Sequence, residues 1–116
     1  MLDVYIRVWE YEVPADHVDA FLAAYGAGGE WVQLFKRTAG FIGTELYRST
    51  QTVGCFLTVD RWTDEADWLT FLNGWREAYD DLDATLAELG AVERALFEGT
   101  SVGRTDDRRP RSPGGC

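Results

Sequence analysis

Residues 55–68 read CFLTVDRWTDEADW and carry a strand that passes directly into a helix. The segment 55–62 is rich in the β-branched and aromatic residues that strands favour. Thr63 and Asp64 are N-cap residue types, and the acidic residues of the following turn suit the positive end of a helix dipole. The stretch therefore predicts a strand that ends at Trp62 and a helix that begins beside it.

The helix predicted to follow carries a long apolar stripe. Its apolar residues recur at helical spacing, which is typical of a helix with one buried face. Gly74 is expected to divide this helix into two pieces, and Gly90 to end it. Residues 91–99 then predict a final strand. The stripe consists of Trp68, Leu69, Phe71, Leu72, Trp75, Tyr79, Leu82, Leu86 and Leu89.

The residues upstream predict a hairpin, a broken helix and a first strand. Residues 41–49 predict a strand, and a turn at 50–52 joins it to a strand over 53–62. Residues 15–37 have helical spacing that glycines interrupt near the middle. Residues 3–13 alternate between two faces with the period of two that a strand shows.

The predicted order is β-α-β-β-α-β, which indicates the α+β, ferredoxin-like fold. It consists of an antiparallel four-stranded sheet with helices on one face. We expect one domain over residues 1–99, because a chain of 116 residues suits a single core. Residues 100–116 are rich in Gly, Ser, Pro and charge without apolar period, so they predict a disordered tail.

The first strand offers two different faces. Val4, Ile6 and Val8 form an aliphatic face, which we expect to pack on the helices, with the aromatic face pointing away from them. A large exposed aromatic face is unfavourable and usually marks an interface. We therefore predict a homodimer that packs sheet to sheet about a two-fold axis, with a cavity in each subunit. The residues expected on the outer face are Tyr5, Trp9, Tyr11, Phe56 and Trp62.

Composition excludes several classes of function. The formal net charge is −9, which disfavours nucleic acid and anionic membrane surfaces as partners. One His and two Cys without a C-x-x-C pair argue against a metal site. The start of the chain lacks the pattern of a signal peptide, and no apolar run approaches membrane-spanning length. We expect a cytoplasmic protein.

Three segments carry a family resemblance that covers residues 3–99: EWVQLFKRTAGFIGTELYRS, CFLTVDRWTDEADWLTFLNGWREAYDDLD and the final VERALFEG. By these segments the chain resembles the antibiotic biosynthesis monooxygenase family of dimeric α+β barrels. The resemblance implies a dimer and an aromatic pocket. The quinone-forming members resemble this chain at the strand-end Trp62, whereas Thr58 stands where they use an Asn. The haem-degrading members use a helix His, and Tyr79 lies in the matching stretch here.

Three residues are the candidate catalytic groups. Trp62 either has a functional role, stacking on a planar substrate or stabilising an oxygen-derived intermediate, or is a core indole. Arg7 either holds a phenolate oxygen or pairs with Asp60 or Glu45 on a neighbouring strand. Asp60 either acts as a general base with a raised pKa or is the partner of an Arg.

Six further residues are candidates for substrate binding, because aromatic and hydroxyl side chains line pockets for planar oxygenated molecules. For the tyrosines, the competing interpretation is a ring in the core with its hydroxyl at the edge. The six candidates are Tyr5, Trp9, Tyr47, Phe56, Thr58 and Tyr79.

The resemblance implies a cofactor-independent monooxygenase that oxidises a planar phenolic or anthrone-type aromatic of polyketide tailoring to a quinone. Its partners would be this small molecule and O₂, with no cofactor and no metal. Two other hypotheses remain open. One is an oxygen-independent cyclase, isomerase or decarboxylase on a similar substrate, and the other is a non-catalytic aromatic-binding protein.

Overall fold

The computed structural model describes residues 3–102 and confirms the predicted order of elements. The predicted first helix is divided in two, and short 3₁₀ turns precede the first helix and follow the last. The strands are β1 (Tyr5–Glu12), β2 (Phe41–Arg48), β3 (Cys55–Trp62) and β4 (Val92–Thr100), and the helices are α1 (Val18–Tyr25), α2 (Glu30–Phe35) and α3 (Glu65–Leu86).

The four strands form one antiparallel sheet in the order β2-β3-β1-β4. β1 and β3 are its central pair, and their register places Tyr5 opposite Trp62 and Arg7 opposite Asp60. A bulge after Val8 shifts the register between β1 and β4. The residues that the sequence singled out on β1 and β3 therefore lie side by side at the centre of the sheet.

The break between α1 and α2 depends on a close approach of the backbone. A Cβ atom at Gly29 would lie 2.2 Å from the carbonyl oxygen of Ala24. Only glycine fits at this point without a shift of the main chain. After this tight turn, α2 buries Trp31 and Phe35.

The long helix α3 begins and bends where the sequence indicated. The Asp64 side chain accepts a hydrogen bond from the Asp67 backbone N–H at 2.8 Å, as an N-cap residue does. Trp75, directly after Gly74, has non-helical dihedral angles (φ −125°, ψ 24°), which kink the helix. The second half of α3 brings Tyr79 and Asp83 to the cavity described below.

The sheet faces are opposite to the prediction: the aromatic face packs on the helices. Tyr5, Tyr11, Phe56 and Trp62 are almost fully buried in one cluster with aromatic side chains of all three helices. The helices present rings as well, and packing ring on ring buries the largest apolar area. Strand alternation then directs the aliphatic residues to the other face. The helical partners include Phe21, Trp31, Phe35, Trp68 and Phe71.

The outer face of the sheet carries apolar residues beside charged ones, and no helix of residues 3–102 covers it. Ile6, Val8 and Val59 share this face by register, and Phe97 pairs with Val8 there. The exposed fraction of Phe97 is 60% and that of Val92 is 65%. Within the described domain, apolar side chains of this face are therefore uncovered, although they are other residues than those expected.

The end of β4 is joined to the start of β1 by backbone hydrogen bonding that reaches Ser101. β4 continues through Thr100, and the Ser101 N–H donates to the Val4 carbonyl oxygen at 2.8 Å. The Val4 N–H in turn donates to Ser101 Oγ at 2.9 Å. The remainder of the predicted tail, residues 103–116, lies outside the described residues. Within residues 3–102, no helix combines the length and apolarity that a membrane crossing needs.

Replacing Phe71 by Ala tests the aromatic core. Phe71 is fully buried, and its ring centroid lies 5.2 Å from that of Phe35 and 5.5 Å from that of Trp62. We expect the free energy of unfolding to fall by about 3–5 kcal/mol in urea denaturation, because the substitution leaves a cavity. Leu69→Ala, on the exposed side of the same helix, is the control and should cost less than about 1 kcal/mol. Equal losses in both variants would contradict this packing.

Candidate active site

A cavity of about 110 Å³ lies between the inner face of the sheet and the helices. Every strand and helix contributes at least one side chain to it. Its aromatic wall consists of Trp9, Tyr11, Tyr25, Trp31, Phe35 and Tyr79. Its polar residues are Thr44, Thr58, Asp60, Asp83 and Glu93.

The size of the cavity limits what it can enclose. An apolar protein cavity of about 150 Å³ binds benzene, so a cavity of about 110 Å³ holds roughly one aromatic ring. Asp83 and Glu93 are exposed and mark its opening to solvent. Any further ring of a fused substrate would extend through that opening.

Asp60 is the carboxylate held within the aromatic wall. It lies on β3 between Arg7 of β1 and Thr44 of β2, which are its partners in register. Thr44 Oγ1 donates to Asp60 Oδ1 at 2.7 Å. Burial raises the pKa of Asp60 to about 6, against the lowering effects of the Thr44 hydrogen bond and the Arg7 charge. Asp60 is therefore mostly ionised at neutral pH and basic enough to accept a proton.

Arg7 lies beside the cavity without lining it. Its Nη1 is 2.6 Å from Glu98 Oε2, an ion pair with β4, and the same nitrogen donates to Tyr5 Oη at 3.3 Å. Its Cζ lies 4.2 Å from the ring centroid of Trp68, a cation–π contact. Of the two alternatives for Arg7, the ion-pair one therefore holds with a different partner, because the neighbouring strand β4 supplies Glu98 in place of Asp60 or Glu45. The positive charge of Arg7 lowers the pKa of Asp60.

Trp62 lies in the core, behind the cavity wall. Its exposed fraction is 0%, and its ring contacts Phe35, Phe41, Trp68 and Phe71 at centroid distances of 5.1–5.5 Å. It is not among the cavity-lining residues, and its Nε1 has no hydrogen-bond partner within residues 3–102. The geometry matches the core interpretation, in which Trp62 supports Phe35, a residue of the wall.

The six predicted substrate-binding residues separate into three groups. Trp9, Thr58 and Tyr79 line the cavity. Tyr5 and Phe56 lie on the same side of the sheet, but they are buried in the core and do not line the cavity. Tyr47 lies on the outer face, opposite Leu57 in register, because alternation along β2 turns it away from the helices.

The sequence analysis did not assign several residues of the site. Thr44 could have been found, because the predicted hairpin pairs it with Asp60. Asp83 follows Tyr79 by one helical turn and so shares its face. The position of Glu93 could not be predicted from the sequence in this way, because it depends on the bulge in the β1–β4 pairing. Trp31 belongs both to the aromatic core and to the cavity wall.

The tyrosines of the wall are hydroxyl donors at physiological pH. Burial raises the pKa of Tyr25 to about 12 and also raises the pKa values of Tyr11 and Tyr79. Tyr11 Oη lies 3.3 Å from Thr58 Oγ1, within hydrogen-bond distance. The cavity therefore combines one basic carboxylate with protonated hydroxyls, a set that can remove a proton and stabilise the resulting oxyanion.

The sequence of this domain matches the model of a known family. The sequence model described as antibiotic biosynthesis monooxygenase matches residues 4–80. The chain is therefore a member of the antibiotic biosynthesis monooxygenase family, a group of ferredoxin-like α+β proteins. No curated protein matches the chain. Within residues 3–102, no group of three or more His, Cys, Asp or Glu is arranged to hold a metal ion.

Solved structures share the fold at low sequence identity. SnoaB, a cofactor-independent oxygenase from Streptomyces nogalater, is 18% identical with a TM-score of 0.61, over 94% of this chain and 100% of SnoaB. A putative monooxygenase from Shewanella loihica PV-4 is 20% identical with a TM-score of 0.59, over 90% of this chain and 99% of its own. A dimeric ferredoxin-like protein from an uncultured marine organism is 10% identical with a TM-score of 0.63, over 90% of this chain and 100% of its own.

The environment of Asp60 predicts a pH-dependent stability. Its pKa is raised to about 6 in the folded state, so the folded protein binds this proton more tightly than the unfolded chain. The ionised Asp60 carboxylate therefore lowers the free energy of unfolding. This destabilisation disappears as the pH falls through the folded-state pKa of Asp60, because the carboxyl group is then protonated. Relative to wild type, Asp60→Asn should gain about 2 kcal/mol in the free energy of unfolding between about pH 4 and about pH 8.

Urea denaturation at a series of pH values measures this difference. Asp81→Asn, an exposed acid-to-amide change on α3, is the matched control for removing one charge. If Asp60→Asn and Asp81→Asn follow the same pH dependence, Asp60 is not in the desolvated position described.

Proposed function

We propose that the protein is a cofactor-independent monooxygenase that oxidises a planar phenolic or anthrone-type aromatic to a quinone. The observation that carries the proposal is the position of Asp60, a carboxylate of raised basicity in an aromatic cavity about one ring wide. Membership of the antibiotic biosynthesis monooxygenase family supports an oxygenase chemistry.

Asp60 starts the reaction by taking a proton from the substrate. The resulting phenolate or carbanion gives an electron to O₂, and recombination forms a carbon–oxygen bond to a peroxide. Loss of water then leaves a carbonyl group. The substrate loses two hydrogens and gains one oxygen atom, and the second oxygen leaves as water. The electrons come from the substrate, so the balance needs no further reductant.

The surrounding side chains stabilise the anion. Tyr79 and Tyr11 keep their protons at neutral pH and can donate to the developing oxyanion. The ring walls exclude water, which strengthens those interactions. Arg7 offsets part of the negative charge that Asp60 brings into the site. Trp62 holds Phe35 in the wall and is a positioning residue.

One observation favours an oxygen-independent enzyme instead. Thr58 stands where the quinone-forming relatives use an Asn, and its hydroxyl is already engaged with Tyr11 at 3.3 Å. The same base could then serve an isomerase, cyclase or decarboxylase. Turnover of the same substrates without oxygen would favour this second function, and binding without any turnover would favour a non-catalytic protein.

Oxygen uptake by the metal-free protein with a panel of anthrones and dihydroxynaphthalenes tests the proposal. We expect uptake of one O₂ per substrate, with the rate rising as the pH increases through the raised pKa of Asp60. Removal of a general base costs about 10²–10⁴-fold in rate, so Asp60→Asn should lose at least about 100-fold. The control is Asp81→Asn, which should retain the wild-type rate. Absence of uptake with every substrate, or full activity in Asp60→Asn, would overturn the proposal.

A homodimer is the second part of the proposal. The outer face of the sheet exposes Phe97 and Val92, and a second copy of the chain would bury them sheet against sheet. We expect Phe97→Asp to be monomeric at micromolar concentration in light scattering, because a buried charge opposes the interface. Leu69→Asp, on an exposed side of α3, should leave the dimer intact. A wild-type protein that is already monomeric would refute the dimer.

A further inference from the structure

A bulge in β2 decides which side chains of this strand reach the cavity. Ile42 is an extra residue there, because Phe41 and Gly43 lie opposite consecutive residues of β3. One extra residue exchanges the two faces of the strand that follows it, and bulges beside functional sites often redirect a side chain in this way. Here the bulge turns Thr44 inward, opposite Asp60, where it lines the cavity.

The bulge also keeps a second carboxylate away from Asp60. Without it, alternation from the inward-facing Phe41 would turn Glu45 inward and Thr44 outward. Two carboxylates on one buried face would repel each other. With the bulge, Glu45 lies on the outer face and forms an ion pair with Arg61, whose Nη2 is 2.6 Å from Glu45 Oε1. The inner face of β2 therefore offers Asp60 a hydroxyl donor in place of a second acid.

The hydroxyl of Thr44 occupies one oxygen of the Asp60 carboxylate. Thr44 Oγ1 has a single proton to donate, and it donates to Asp60 Oδ1 at 2.7 Å. Hydrogen bonds to an ionised acceptor are short and strong. The Thr44 side chain is itself held on a strand at the centre of a paired register, so the hydrogen bond restrains the orientation of the carboxylate.

The other oxygen of Asp60 remains available to accept a proton. Within residues 3–102, Oδ2 has no hydrogen-bond partner, and it is not one of the fully buried polar atoms that lack a partner. It therefore keeps accessible surface. Because Asp60 is a lining residue, a ligand in the cavity can reach this oxygen. An ionised carboxylate oxygen without a donor is suited to accept a substrate proton.

We propose that Thr44 is a positioning residue, which holds Asp60 Oδ1 so that Oδ2 accepts the proton of the substrate. In that step the C–H or O–H bond of the substrate breaks, its electron pair stays on the substrate, and the proton binds Oδ2. Thr44 acts only through Asp60. The inference rests on the proposed function in taking Asp60 as the base, and it is independent of oxygen and of the product.

Thr44→Val tests the hold on Asp60 in the free protein. The variant lacks the hydroxyl and keeps a β-branched side chain, which suits a strand. Loss of a hydrogen bond to a charged acceptor should raise the Asp60 pKa from about 6 to at least about 7 in an NMR titration of its carboxyl carbon. Thr44→Ser retains the hydroxyl, and Thr70→Val is an exposed change on α3, so both should keep the wild-type pKa. An unchanged pKa in Thr44→Val would overturn the inference.

Deuterium exchange tests the proton transfer itself. Anthrones have an acidic C–H group, whose exchange with D₂O is followed by NMR without oxygen and corrected for the protein-free rate. At a pH above the Asp60 pKa of each variant, Thr44→Val should exchange at least about tenfold more slowly than wild type, because a misplaced base loses rate. Thr44→Ser and Thr70→Val should retain most of the rate. A more basic carboxylate does not by itself slow the transfer, so the loss reports the position of Asp60.

The exchange assay separates this inference from the proposed oxygenase. Full exchange in Thr44→Val, or no exchange above the protein-free rate in the wild type with any anthrone of the panel, would overturn the inference. Thr44→Ala also lacks the hydroxyl and should lose the same activity, which makes the result independent of how one variant folds. A protein whose exchange depends on Thr44 in this way but that consumes no O₂ would contradict the oxygenase and leave the inference standing.

Discussion

The contact between the aromatic face of the sheet and the aromatic side chains of the helices governs the rest of this structure. Trp62 and Phe71 are fully enclosed in that layer. It fixes which residues of each strand point inward, because a shift by one position would exchange the two faces of the whole strand. Tyr5, Arg7 and Asp60 are on the inner side for this reason alone.

The chemistry of the site follows from that packing. Aromatic side chains solvate a carboxylate far less well than water does. The same layer that stabilises the domain therefore raises the pKa of Asp60. Thr44 and Arg7 limit this rise in pKa and keep the Asp60 carboxylate largely ionised at neutral pH. A fold that buried its aliphatic residues inward would have placed Asp60 on the outer face. The stability of the core and the basicity of the site are thus two results of one arrangement.

The order of elements could be predicted from the sequence because each boundary has a local cause, such as the glycines before Trp31 or the cap at Asp64. The choice of inner face could not, since it depends on which elements pack together, and period-two alternation alone does not distinguish the faces. Asp60 and Thr58 share one face of β3 and both line the cavity, although the sequence assigned that face to the side away from the helices. The roles assigned to Trp62 and Tyr47 rested on position in a strand, and the structure places them behind the cavity and on the outer face.

Direct titration of the Asp60 carboxyl carbon by NMR tests the central claim most directly. The account predicts a pKa of about 6 in the free protein. The Asp60→Asn variant identifies the resonance by its absence. A pKa at the ordinary Asp value of about 4 would mean that the carboxylate is solvated. In that case the aromatic cavity would not create a base, and the link between the packing of this domain and its chemistry would be contradicted.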